Sequence, residues 1–118
     1  MSDDAQQTLT SEQVADQIPQ GWREVDGMLR TRLRTQGFEE SLALVNAIAT
    51  AAEEADHHPD IDLRWGWVGL RLVSHDVGGL SPRDIALAGE ISRIADDLGA
   101  SAQPEVVASM TIGIDTAD

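Results

Sequence analysis

The sequence predicts an α+β domain in the order helix, two strands, helix, two strands, helix. Three observations carry this. Apolar residues recur at three- and four-residue steps in two long stretches, and at two-residue steps between and before them. Asp26-Gly27 and Trp65-Gly66-Trp67 stand where alternating segments must turn back on themselves. Serine or threonine precedes helical segments at Thr10 and Ser81, and Gly99 follows one.

Taken in order, Met1 to Thr8 is polar and acidic and reads as a disordered lead-in to a domain spanning 9–99. Thr10 with Gln13 three residues on forms a capping box, and Leu9 can staple onto Val14. Pro19 and Gly21 end that short helix. Trp22–Val25, the Asp26-Gly27 turn and Met28–Thr35 make a hairpin, whose second strand alternates Leu29, Thr31 and Leu33 with Arg30, Arg32 and Arg34. The arginine row reads either as an anion-binding strip or, more economically, as a solvated face paired to some of the 21 acids. From Phe38 to Asp56 the period is helical, with Leu42, Val45, Ile48, Ala49, Ala52 and Ala55 as the stripe and Leu44 and Ala51 widening it. The helix is expected to stop at His58, ahead of Pro59. Ile61–Trp65 and Val68–Leu72 form a second hairpin, and Gly78-Gly79 reads as a flexible break. A last helix opens with Ser81 as cap, Pro82 at the first position and Asp84 at the third, and it buries Ile85, Ala88, Ile91, Ala95 and Leu98. The segment 100–118 is an extension, with Met110, Ile112 and Ile114 suggesting an edge strand and Pro104 a competing short helix.

Composition narrows the chemistry. The chain has 118 residues, a formal charge of −13, no cysteine, no tyrosine and no lysine. Disulfides, thiolate sites and Schiff-base chemistry are therefore excluded. So strong a negative charge argues against nucleic acid and anionic membrane as partners, no run of eighteen apolar residues suggests a membrane span, and a cytoplasmic protein is expected. With few aromatic residues, the core must come from Leu, Ile, Val and Ala, and oligomerisation would bury more of it.

All three histidines fall in two short acidic segments, Glu53-Glu54-Ala55-Asp56-His57-His58-Pro59-Asp60 and Ser74-His75-Asp76. Strands rise about 3.3 Å per residue, so the second hairpin runs out some 15 Å and returns. His75 thereby comes back beside His57 and His58, and the three imidazoles can ring one pocket. Neighbouring residues at a helix end point in different directions, so His57 and His58 should do separate jobs. Three readings remain open from spacing alone: a helix-terminating pair plus a hydrogen-bonded strand residue, a metal site of imidazoles and a carboxylate, and metal-free acid–base catalysis.

Glu53-x-x-x-His57-His58-Pro59, an aromatic residue at Trp65, Ser74-His75 and Gly79-Leu80-Ser81-x-Arg83-Asp84-Ile85 resemble the pterin-4a-carbinolamine dehydratase family. Leu9-Thr10, Gly21-Trp22, Phe38 and Ala52-Glu53 match it in order and spacing, so the likeness covers roughly residues 9 to 98. The resemblance implies a four-stranded antiparallel sheet with three helices packed on one face, associating as a homodimer or homotetramer. It implies dehydration of 4a-hydroxytetrahydrobiopterin, or a related 4a-hydroxytetrahydropterin, to the quinonoid dihydropterin. That step recycles the cofactor of aromatic amino-acid hydroxylases. It implies His57 and His75 as acid–base residues and His58 as the residue that holds the pterin. Glu53 and Asp84 would be acidic positions beside the site and Trp65 a pocket wall, with neither metal nor bound cofactor. Val77 stands where the family often has cysteine, and Ile61 and Asp62 replace aromatic residues common after the His-His-Pro. The alternative is the same fold serving as a pterin-binding, dimerisation or assembly factor without turnover.

Overall fold

Thr10 accepts a hydrogen bond from the Gln13 backbone and Gln13 Oε1 accepts one from Thr10 N, so the capping box starts the first helix as expected. The computed structural model describes residues 7–103. In chain order these form α1 (Ser11–Gln17), β1 (Arg23–Val25), β2 (Met28–Arg34), α2 (Phe38–Ala55), β3 (Asp60–Leu63), β4 (Trp67–Leu72), a 3₁₀ turn (His75–Val77), α3 (Pro82–Leu98) and β5 (Ser101–Ala102). The alternatives considered for 104–118, a strand through Met110 or a helix from Pro104, lie outside the described residues.

The sheet is antiparallel in the order β1-β2-β4-β3, with β5 pairing the far end of β2. Asp26 and Gly27 both take positive φ (53° and 80°), the mirror-image turn that suits a two-residue hairpin. Leu29, Leu33, Val68, Leu70 and Leu72 point to the face that the helices cover and join Leu44, Ile48, Leu87, Ala88 and Ile91 in one core. Burying each of the leucine, isoleucine and valine side chains contributes about 1.5–3 kcal/mol.

Several local expectations are corrected. α2 ends at Ala55 rather than His58, because Asp56 itself adopts the left-handed conformation (φ 52°) and its N–H caps the carbonyls of Ala52 and Glu53. His57 N–H bonds the Ala52 carbonyl at 3.1 Å, which completes a Schellman-type stop before Pro59 can act. The inner face of α2 is Ser41, Leu44, Ile48, Ala51 and Ala52, whereas Leu42, Ala49 and Ala55 are exposed. On α3, Leu87 and Ile94 take buried places while Leu98 stays half exposed. Gly78-Gly79 is no flexible break: Ser74 and Gly79 exchange backbone hydrogen bonds at 3.0 and 3.3 Å around the 3₁₀ turn. β3 stops at Leu63, and Trp65 sits with Gly66 in a turn closed by Arg64 N–H to the Trp67 carbonyl at 2.9 Å.

Candidate active site

The Schellman stop decides where the two adjacent histidines face. It throws His57 inward, leaving it 9% exposed, and His58 outward. His57 Nε2–H donates to Asp84 Oδ1 at 2.7 Å. His58 Nε2 pairs with Glu53 Oε2 at 2.8 Å on the surface. The separate jobs expected of the pair thus have separate surroundings.

Asp84 is the third helical residue of α3, and its side chain has no exposed surface. Its Oδ2 accepts from the Ser81 backbone N–H at 2.9 Å, which is the capping-box bond, and from Ser74 Oγ–H at 2.7 Å. The Ser74 proton is committed to Asp84, so Ser81 Oγ–H donates onward to Ser74 Oγ at 2.7 Å. Ser81 Oγ in turn accepts from the backbone and side-chain N–H groups of Arg83. A relay of polar groups buried under the first turn of α3 therefore aims its donors at one carboxylate and its acceptor at His57. With Nε2 held, Nδ1 is the ring nitrogen to which no described residue bonds, and it can give or take a proton.

Continuing the β3–β4 register (Asp60 opposite Arg71) past the strand ends sets His57 alongside Ser74. The hairpin therefore returns as expected and leaves His75 one residue from the relay, on the 3₁₀ turn and exposed. It is a turn residue rather than a strand residue. Arg83 Nη2–H donates to Asp76 Oδ1 at 2.8 Å and ties this turn to α3. That bond holds the Asp76 carboxyl below its usual range and raises Arg83 above its own.

An open groove of about 410 Å³ runs beside His57 between α2 and α3. Ala51, Ala55, Ala86 and Leu87 wall it, and Glu54, Arg83 and Glu90 supply its charges. Of the predicted site residues only His57 lines it. Asp84 is not available to touch a ligand, because it is wholly buried; it positions His57 instead. Trp65 is not brought to the histidines. It is 71% exposed, and a Cβ on Gly37 would stand 3.9 Å from its ring, which places it beside the opposite end of α2. That helix, at 18 residues, spans about 27 Å. Ser74, Ser81 and Arg83 were legible as motif or cap residues, but their convergence on Asp84 was not. Among the described residues no group of three or more His, Asp or Glu side chains is arranged to hold a metal ion.

Residues 7–94 match the family model described as pterin 4 alpha carbinolamine dehydratase. Relatives named provisionally as pterin-4-alpha-carbinolamine dehydratases include one from Mycobacterium sp. (strain JLS), 41% identical over 75% of this chain and 96% of its own. Another, from Thermomicrobium roseum, is 46% identical over 67% of this chain and 84% of its own. Among solved structures, a transcriptional coactivator/pterin dehydratase from Brucella melitensis superimposes with a TM-score of 0.70 at 25% identity, over 75% of this chain and 98% of that one. A pterin dehydratase-like RuBisCO assembly factor of the alpha-carboxysome gives a TM-score of 0.55 at 26% identity, over 63% of this chain and 88% of that one. Sequence, fold and the resemblance carried by its histidine motifs agree: the chain belongs to the pterin-4a-carbinolamine dehydratase family.

Proposed function

We propose that the protein is a hydro-lyase that converts 4a-hydroxytetrahydrobiopterin, or a related 4a-hydroxytetrahydropterin, to the quinonoid dihydropterin by metal-free acid–base catalysis. The observation that carries this reading is the buried Asp84 that orients His57, because a carboxylate with no surface of its own serves the imidazole and the fold alone. The reaction needs one proton delivered and one removed. The C4a–O bond breaks as an imidazolium protonates the departing hydroxyl, which leaves as water. The N5 proton passes to a second imidazole while the N5 electrons form the C4a=N5 bond. His57 and His75 take these two roles, with solvent returning the proton between turnovers. His58, paired with Glu53, holds the pterin. The groove beside His57 falls within the range of about 300–1,000 Å³ typical of small-molecule sites. Association as a homodimer or homotetramer, a cytoplasmic setting and service to an aromatic amino-acid hydroxylase belong to the same proposal.

One observation favours a second reading. A solved relative is named a RuBisCO assembly factor, so the fold here can be proposed as a protein partner without turnover. A coupled hydroxylase assay separates the two. The purified chain should accelerate dehydration, and His57→Ala and His75→Ala should each lose about 10²–10⁴-fold in kcat. His58→Ala should chiefly raise KM, and chelators should change nothing. A wild-type rate equal to that in buffer would leave the assembly reading standing in place of the enzymatic one.

A further inference from the structure

The face of the sheet turned away from the helices carries most of the chain's positive charge. Residues directly opposite on antiparallel strands share a face, and the register pairs Arg23 with Arg30, Arg30 with Arg71, and Arg71 with Asp60. Three arginines therefore lie abreast on β1, β2 and β4, with strands about 4.8 Å apart. The next rows add Arg32 opposite Gly69, and Arg34 opposite Trp67. The Trp67 ring lies over Gly69, where a Cβ would come within 2.9 Å of it. Arg32 stacks on that ring at 3.6 Å and Arg64 at 4.9 Å. Six of the eight basic residues of a chain charged −13 thus stand on one face, against Asp60 and Asp62.

The fold does not require this. Inward-facing Leu29, Thr31 and Leu33 set the register, and any polar residue would serve on the other side. Like charges directly opposite each other destabilise a sheet, and the chain has 21 acids with which to avoid them. Among the described residues, the ion pairs on this face include Arg64 with Asp62 at 2.8 Å and Arg71 with Asp60 at 3.7 Å. Arg23, Arg30 and Arg34 have no carboxylate partner among the described residues. A basic, ring-bearing face left unbalanced in this way is complementary to carboxylates brought from outside.

We propose that the helix-free face of the sheet is a docking surface for an acidic segment of another protein, laid across β1, β2 and β4. The arginine fork suits carboxylates in pairs. The patch is only three strands wide, so a short acidic segment ends within it. A nucleic-acid strand would run on into the negative field of the rest of the molecule. Docking against the acidic helices of a second copy would be head-to-tail and would grow open chains.

The test uses the full chain and a fluorescein-labelled octaglutamate peptide, followed by anisotropy. Binding at low salt should weaken steeply as salt screens the face. The double variant Arg30→Ser/Arg71→Ser should bind at least about tenfold more weakly, whereas Arg93→Ser, on the far side of α3, should not differ. Arg30→Lys/Arg71→Lys, which keeps the charge but loses the fork, should bind more tightly than the serine variant and more weakly than wild type, separating charge from fork geometry. Four results would each overturn the proposal: no binding at low salt, equal binding by the serine variant, tighter binding of a single-stranded DNA of equal charge, or open-ended growth in mass beyond a tetramer when no peptide is present.

Discussion

An imidazole has two nitrogens, and buried Asp84 claims one of them on His57 at 2.7 Å. Asp84→Asn tests what that claim is worth. The amide keeps the volume, but it can present an N–H where Nε2–H now donates, and that reverses the tautomer. We expect kcat to fall by about 10²–10⁴-fold with KM little changed, read from the same coupled assay. Because Oδ2 also accepts from Ser74 and Ser81, unfolding in urea should show a loss of about 1–3 kcal/mol as well. A full kcat in a destabilised Asp84→Asn protein would make the residue purely structural. In the sequence Asp84 is fully accounted for as the third residue of a capped helix. Nothing local says that the first turn of α3 lies against the end of α2, and only that packing turns a capping residue into a histidine's partner. His57 and His58 were legible as different for a simpler reason, since consecutive side chains at a helix end diverge.

At the scale of elements, the end of α2 sets the site. Asp56 holds a left-handed backbone conformation that L side chains adopt at a cost, and its carboxylate sits at the negative end of the helix dipole. Asp56→Gly should relieve both and raise stability by about 0.5–1 kcal/mol, seen as a higher midpoint in urea. A lower midpoint would mean that the Asp56 side chain makes a stabilising contact of its own. The caps and turns at Thr10–Gln13, Asp26-Gly27 and Ser81–Asp84 were legible because each is written within four residues, and all behave as read. Failures came both from distant neighbours and from local turns. Leu42 fits the apolar period of α2 as well as Leu44 does, but the sheet lies under Leu44. Trp65 fits a strand, but the Arg64–Trp67 hydrogen bond makes it a turn.

For the whole molecule, exposed apolar side chains lie where the single chain leaves them uncovered. Phe38 is 51% exposed, Leu42 44% and Trp65 71%, the first two a turn apart on α2 and the third beside its start. The proposed homo-oligomer would cover such side chains, because large exposed apolar surface is uncommon on single chains. In light scattering the protein should run at a multiple of 12.7 kDa, and Phe38→Glu/Leu42→Glu should shift it towards that single-chain mass. A wild-type protein at 12.7 kDa would sink this part of the proposal. The α-β-β-α-β-β-α order was legible because period and punctuation agree along the chain. Which apolar residues stay outside was not, since that depends on how much helix the sheet can cover.

Asp84 belongs to two structures at once, as the N-terminal lock of α3 and as the anchor of His57. Loss of the first turn therefore takes the anchor of His57 with it. Helix ends open locally at free energies well below that of global unfolding, and each such opening of the first turn of α3 also sets the imidazole loose. Amide exchange at Asp84, whose N–H bonds the Ser81 carbonyl, then becomes a clock for the site: under the proposed mechanism, the fraction of time in which it is unprotected is time lost to proton transfer.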